Sequence, residues 1–227
     1  MVYGKGFADS DNFYIFTVFN FFYIRFYFIK SFYYDVHMFI IKKKYFILIE
    51  SIKDIDLSNI KIFNKFAVIY RNKRGQENIN TLLKFRSICK RRKIDFYVSN
   101  DVNLSTSLKA DGLYVSSYNK DLRIARLKKF NFKIIGSAHN IKELNTKSKQ
   151  GCSDIIFSRL FKTIYKKKIG FLGVVKFNLF KKYTKKNLVP LGGIKMTNLN
   201  KVNLVNCNSI ACLSEVKKKP AIISRLF

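Results

Sequence analysis

Residues 66–100 read FAVIYRNKRGQENINTLLKFRSICKRRKIDFYVSN, and they decide the fold. Two short β-rich runs, FAVIYR (66–71) and DFYVSN (95–100), flank a Lys-rich amphipathic stretch, NINTLLKFRSICKRRK (78–93). A strand, a helical stretch and a second strand make a βαβ unit, and repeated units of this kind imply a parallel sheet. The pattern recurs on both sides. YFILIE (45–50) precedes it, and GLYVSS (112–117), FKIIGS (132–137), DIIFSR (154–159), NLVPLG (187–192) and SIACLS (209–214) follow. Such nearly continuous apolar runs suit strands covered on both faces. Eight of them predict an α/β chain, a compact (β/α)8 TIM barrel over residues 42–227. Its loops must be short, because 186 residues are few for that architecture.

Residues 1–41 are a different material. They hold 16 of the 36 Phe and Tyr, and Lys5, Arg25 and Lys30 balance Asp9, Asp11 and Asp35. The whole net charge of +30 therefore belongs to residues 42–227. The domain reading is an aromatic-rich, hydrophobic N-terminal extension followed by the barrel. Within the extension, residues 13–29 (FYIFTVFNFFYIRFYFI) are at the short limit of a membrane span of about 20 residues, with Arg25 inside them. Three readings stay open: Met38 as the true first residue, a membrane anchor over 13–29, or an ordered extension. A membrane partner is expected only in the second.

An apolar share of 48 % excludes a disordered basic tail. The four cysteines, Cys89, Cys152, Cys207 and Cys212, form no C-x-x-C, and His37 and His139 are the two histidines. Free, buried thiols in a reducing, cytoplasmic setting follow, and a Cys/His zinc site does not.

Polar residues follow the strand runs: Arg71 and Lys73, Asn100 and Asp101, Ser116 and Ser117, Ser137 and His139, Thr163 and Lys166, Gly192 and Gly193, and Ser214. In a (β/α)8 barrel these ends form one face, where active sites are built. Each Ser or Asn alone reads as a turn or helix cap. The gathering of Arg, Lys, Asn-Asp and Gly-Gly reads as a phosphate-handling site, with Gly-Gly and Ser214 at the usual phosphate position after the last two strands.

Read together, VIYRNK (68–73), YVSNDVNLSTSLKADGLYV (97–115), GSAHNIKEL (136–144), LFKT (160–163), LVPLGGIKMTN (188–198) and IACLSEV (210–216) resemble the thiamine phosphate synthase/TenI family. The resemblance implies thiamine biosynthesis on a compact (β/α)8 barrel. Synthases of that family are transferases that join a pyrimidine diphosphate to a thiazole phosphate, with Mg²⁺, and release pyrophosphate. Carried onto this chain, the resemblance assigns the diphosphate to Arg71, Lys73, Asn100, Ser137 and Lys166. It assigns Mg²⁺ to Asp101, with Asn119 beside it, and the thiazole phosphate to Thr163, Gly192, Gly193 and Ser214. Three positions depart from the family pattern: Asn119 stands for an acidic metal ligand, Ile69 for a Gln, and Tyr165 for a Thr. Among acidic residues, Glu50, Asp101 and Glu215 follow strands directly, while Asp111 and Asp154 precede or start them and should point away from the site. Asp101 is then the family-matched carboxylate, and Mg²⁺ binding should be weak and assisted by the diphosphate.

Two other functions compete. A TenI-like thiazole tautomerase would use His139 as acid and base, and a degenerate paralogue would keep the barrel alone. A nucleic-acid-binding protein would exploit the +30 charge. The Lys runs lie between strands, where solvated helix faces are expected, and no nucleic-acid-binding motif is present. The expected partners are small phosphorylated substrates and no specific nucleic acid.

Overall fold

In the computed structural model the described residues are 44–60, 64–72, 77–163 and 170–213. The chain divides into two units, Met1–Ile40 and Ile41–Phe227, and every described residue belongs to the second. The expectations for the N-terminal extension, Met38, Lys73, Tyr165, Lys166, Ser214 and Glu215 lie outside the described residues.

The eight β-rich runs all form strands: β1 (Lys44–Ile49), β2 (Phe66–Tyr70), β3 (Asp95–Ser99), β4 (Gly112–Val115), β5 (Lys133–Ala138), β6 (Asp154–Ser158), β7 (Asn187–Leu191) and β8 (Ser209–Cys212). All neighbours pair in parallel, and β8 pairs with β1 to close the barrel. Alternation along each strand sends one set of side chains inward. Phe46, Leu48, Ala67, Ile69, Tyr97, Tyr114, Ile135, Ile156, Val189 and Ala211 fill the interior. Ile69, where the family pattern has Gln, is fully buried in that filling, so it contributes packing.

The outward set packs against the helices. Helix α1 (Ile79–Arg91) buries Leu82, Phe85 and Cys89, spaced three and four apart on one face. Phe85 meets Phe96 of β3 edge-on at 5.9 Å. Helices α2 (Val102–Ser107), α3 (Ile141–Lys149), α4 (Gly173–Tyr183) and α5 (Leu199–Asn203) follow β3, β5, β6 and β7. Phe177 and Phe180 of α4 meet Phe157 of β6 at 6.3 and 5.3 Å. The four cysteines are buried thiols outside any disulfide, and burial pushes the Cys89 thiol up to about 12 and Cys152 to about 11.

Among the described residues, two connections carry 3-10 turns and no α-helix. Between β1 and β2 stand two short 3-10 turns, Ile52–Asp54 and Leu57–Asn59, and between β4 and β5 a 3-10 helix, Leu122–Phe130. The reason is reach. A 3-10 helix rises about 2.0 Å per residue against about 1.5 Å for an α-helix, so a short connection returns farther down the barrel wall.

The strand starts carry an inward polar layer at the opposite end from the site. Lys44 pairs with Asp95 at 2.7 Å, Lys133 lies 3.9 Å from the same carboxylate, and Asn187 donates to Asp154 at 2.6 Å. Asp111 accepts from the Phe96 N–H at 2.7 Å and pairs with Arg86 at 2.9 Å. Asp111 and Asp154 thus stand away from the site, as their sequence positions require.

Candidate active site

Four of the expected residues meet around the ends of β2, β3 and β4. The Arg71 N–H donates to Ile49 O at 2.8 Å, which carries the β1–β2 ladder one residue past β2. Arg71, Asn72, Ser99, Asn100, Asp101, Ser116 and Tyr118 line a cleft of about 550 Å³. Asn100 sits at φ +57, a left-handed turn that Asn tolerates well. That turn swings its amide across to β4. Its Nδ2 donates to Ser116 Oγ at 2.8 Å and to Tyr118 Oη at 3.0 Å, and its Oδ1 accepts the Ser116 N–H at 3.0 Å. Asn119 completes the group, with its Nδ2 3.4 Å from Asn100 Oδ1.

Asp101 has two uses. Its Oδ1 caps α2 by accepting the Leu104 N–H at 2.8 Å. Its Oδ2 has no hydrogen-bond partner among the described residues, and the side chain is exposed in the cleft. No cluster of three or more His, Cys, Asp or Glu is present among the described residues. Asn119 Oδ1 already accepts the Asp121 N–H at 2.9 Å. Asp121, the next acid along, caps the 3-10 helix and holds the Arg123 guanidinium at 3.0 Å.

Ser137 is buried at the top of β5, close to the hydroxyl of Tyr114 inside the barrel. Burial raises the Tyr114 hydroxyl, against the pull of Ser137 and of the Arg71 charge. His139 is half exposed, and its Nδ1 lies 3.0 Å from Glu143 Oε2. Glu143 also accepts the His139 N–H at 2.7 Å and an amide hydrogen of Asn140 at 3.0 Å, while Asn140 caps α3. Burial raises the Glu143 carboxyl, but these three donors outweigh it and hold the group below its usual range.

Thr163, Gly192 and Gly193 form a second cluster between β6 and β7. Gly192 and Gly193 have φ +100 and +69. Phe161 N donates to Gly192 O at 3.0 Å, and a Cβ on Gly193 would lie 2.7 Å from the carbonyl oxygens of Phe161 and Lys162. Only glycine serves there, on both counts.

Three participants were not singled out from the sequence. Tyr118, in the SSYN turn, holds the Asn100 amide. Arg159, the last residue of DIIFSR, donates to Thr163 Oγ1 at 2.9 Å. Lys147 is fully buried with no carboxylate paired to it among the described residues. Its ammonium donates to Asn119 O and to Gln150 Oε1, and Gln150 Nε2 donates to Asn119 O and Asp121 O. These two buried side chains of the α3 end clamp the backbone of the turn that carries Asn119. Burial lowers the Lys147 pKa.

The family model described as thiamine monophosphate synthase matches residues 60–216. A thiamine-phosphate synthase of Prochlorococcus marinus (strain AS9601) is 27 % identical over 173 residues, covering 74 % of this chain and 48 % of that protein. The corresponding protein of Prochlorococcus marinus subsp. pastoris is 28 % identical over 170 residues, covering 74 % and 47 %. The chain thus spans about half the length of these curated relatives. Among solved structures, a thiamine phosphate pyrophosphorylase from Pyrococcus furiosus superposes with a TM-score of 0.62 at 18 % identity, over 82 % of this chain and 96 % of that one, which shows the shared barrel.

Proposed function

The chain belongs to the thiamine monophosphate synthase family, and on that premise we propose that its site transfers a pyrimidine-methyl group from its diphosphate to a thiazole phosphate, releasing pyrophosphate. The observation that carries this reading is the gathering of Arg71, Asn100 and Asp101 in one cleft at the carboxyl ends of parallel strands. The named relatives support the same chemistry.

The bond between the pyrimidine methylene and the diphosphate oxygen breaks, and negative charge grows on the leaving group. Arg71 stabilises that charge from a fixed position. The Asn100 amide joins it by exchanging Tyr118 Oη for a phosphate oxygen. The methylene cation is captured by the thiazole nitrogen, which must be held beside it. Thr163 and the Gly192–Gly193 turn, across the barrel mouth, fit that holding task. The donor set fits one hard cation only partly: Asp101 Oδ2 is free for it, and Asn119 Oδ1 is shared with Asp121. With a single carboxylate, phosphate oxygens and water must complete the coordination. When bound there, Mg²⁺ supplies charge neutralisation of the diphosphate. Asp101 and Asn119 are the residues that would hold it.

Small phosphorylated substrates are the partners this site suits. No helix among the described residues is long and apolar enough to cross a membrane. The test is a coupling assay with both precursors and Mg²⁺, reading thiamine phosphate and pyrophosphate together. Absence of product, with no pyrophosphate binding to the cleft, would sink the synthase reading.

One observation favours a second reading. The His139–Glu143 pair leaves Nε2 of the imidazole to solvent, an arrangement suited to proton shuttling in a thiazole tautomerase. Thiazole carboxylate isomerisation that is lost in His139→Gln, without any coupling activity, would establish it instead.

A further inference from the structure

Helix α3 carries a buried cation that the transfer reaction above does not use. Lys147 is fully buried, and so is Gln150 three residues on. A glycine makes room for the lysine stem. A Cβ on Gly136 of β5 would lie 3.0 Å from both Cγ and Cδ of Lys147, so the stem runs directly over the β5 backbone. At its tip the ammonium donates to Asn119 O and, at 2.8 Å, to Gln150 Oε1. Gln150 Nε2 donates to the same Asn119 O at 3.1 Å and to Asp121 O at 2.9 Å. No carboxylate pairs with Lys147 among the described residues.

The other side of this turn meets the cleft. Ser116 Oγ, Tyr118 Oη and Asn119 Nδ2 stand 2.8, 3.0 and 3.4 Å from the Asn100 amide. Asn119 N donates to Ser116 O at 3.1 Å, which ties the turn to the end of β4. Asn100 in turn lines the cleft with Arg71 and Asp101. An unbroken path therefore leads from the ammonium through the Asn119 carbonyl and its turn to the Asn100 amide. Burying a charge without a counter-charge is costly, and an apolar side chain would continue the inner face of α3 more cheaply. What a buried hydrogen-bonded network adds is rigidity in the groups it touches. We propose that Lys147 is a positioning residue for the diphosphate: with Gln150 it locks the turn over residues 116–121, and through that turn it holds the Asn100 amide where it can donate to the leaving group. The role rests on the proposed function in that a diphosphate fills the Arg71 cleft.

The experiment titrates pyrophosphate into the full chain by calorimetry in metal-free buffer, so that side-chain contacts alone are read. Lys147→Met keeps the buried stem and removes the donor. It should weaken pyrophosphate on the order of tenfold, as loss of a hydrogen bond to a charged group does. Gln150→Leu should shift in the same direction and less far, because the ammonium still holds Asn119 O. Asn100→Ala should lose affinity by itself, and adding Lys147→Met to it should cost little more, since residues acting through one contact are not additive. Leu144→Ala opens a cavity on the same inner face of α3. It should lower the melting temperature and leave pyrophosphate affinity at the wild-type value. Wild-type affinity in folded Lys147→Met overturns the inference. A full further loss on the Asn100→Ala background does so too, and so does an equal loss in Leu144→Ala, because Lys147 would then only support the fold. Should Lys147→Met not fold, Gln150→Leu decides: undiminished pyrophosphate affinity overturns the inference. A wild-type chain that binds no pyrophosphate, with or without Mg²⁺, removes the diphosphate reading and this role together. A wild-type chain that binds it with an affinity indifferent to Lys147 refutes this role and leaves the proposed function standing.

Discussion

Gly193→Ala isolates the close approach between the β6 and β7 loops. Gly193 has φ +69, so an alanine there enters the left-handed region at about 1–2 kcal/mol. Its Cβ would also stand 2.7 Å from two carbonyl oxygens and 2.8 Å from the Phe161 carbonyl carbon. These are backbone atoms, and the hydrogen bonds from Leu160 and Phe161 to β7 and Gly192 resist their displacement. Relieving such a clash costs about 1–3 kcal/mol, as overpacking does. The sum is about 2–5 kcal/mol. For a chain of this size each kcal/mol lowers the melting temperature by about 2–4 °C, so a fall on the order of 10 °C is expected. Gly170→Ala supplies the internal control, because Gly170 has φ +96 but nothing within 4 Å of an added Cβ. It should cost the conformational part alone. Thermal melts by circular dichroism and urea midpoints measure both. Equal losses in the two variants would show that the Phe161–Lys162 backbone does not confine Gly193.

Three further outcomes follow from the geometry. Asn119→Asp places a carboxylate 3.4 Å from Asn100 Oδ1, where an amide N–H now points; calorimetry should find the free protein slightly destabilised and Mg²⁺ with pyrophosphate bound several-fold tighter, and unchanged Mg²⁺ affinity would remove Asn119 from the metal side. Lys147→Met keeps the buried stem but releases the Asn119 carbonyl, so amide exchange in residues 119–121 should quicken; because burial lowers the Lys147 pKa below its usual 10.5, the unfolded chain holds that proton more tightly, and wild-type stability should gain on the variant as pH rises from the folded value towards 10.5. Glu143→Gln should cost stability at neutral pH, and because the folded carboxyl titrates below its usual 4.5, the gap from wild type should vanish as pH falls through the folded value; a gap that persists in acid would contradict the His139–Asn140–Glu143 account.

The barrel was legible because all eight apolar runs are buried strands, and burial on both faces leaves a composition signal that local context does not blur. The 3-10 connections were not legible. Residues 122–130 have the same Lys-rich amphipathic texture as α1, and the distance they must span is a property of the closed barrel. Arg71, Asn100 and Asp101 could be placed together because strand ends share a face. What each atom does there could not be read, since Asn100 is already bonded to Ser116 and Tyr118, and Asp101 also caps α2. Lys147 left one usable trace: it stands three residues after buried Leu144, on the inner face of α3. In a chain with so many lysines, that spacing was indistinguishable from the solvated runs around it.

The polar layer at the strand starts bears on how the barrel closes. Lys44, Asp95, Lys133, Asp154, Asn187 and Ser209 all begin their strands on the inward side, one pleat before the apolar filling. Sliding one of these six strands by one residue would turn its polar start outward and its apolar residues to the wrong face. Sliding by two would carry a polar or charged group into the hydrocarbon layer without its counterpart. The layer therefore works as an alignment gauge. It sets the height at which each strand stops, and through that the level at which Arg71, Asn100 and Gly193 emerge. Loops at the mouth are thereby free to change length and chemistry without shifting the frame that holds them.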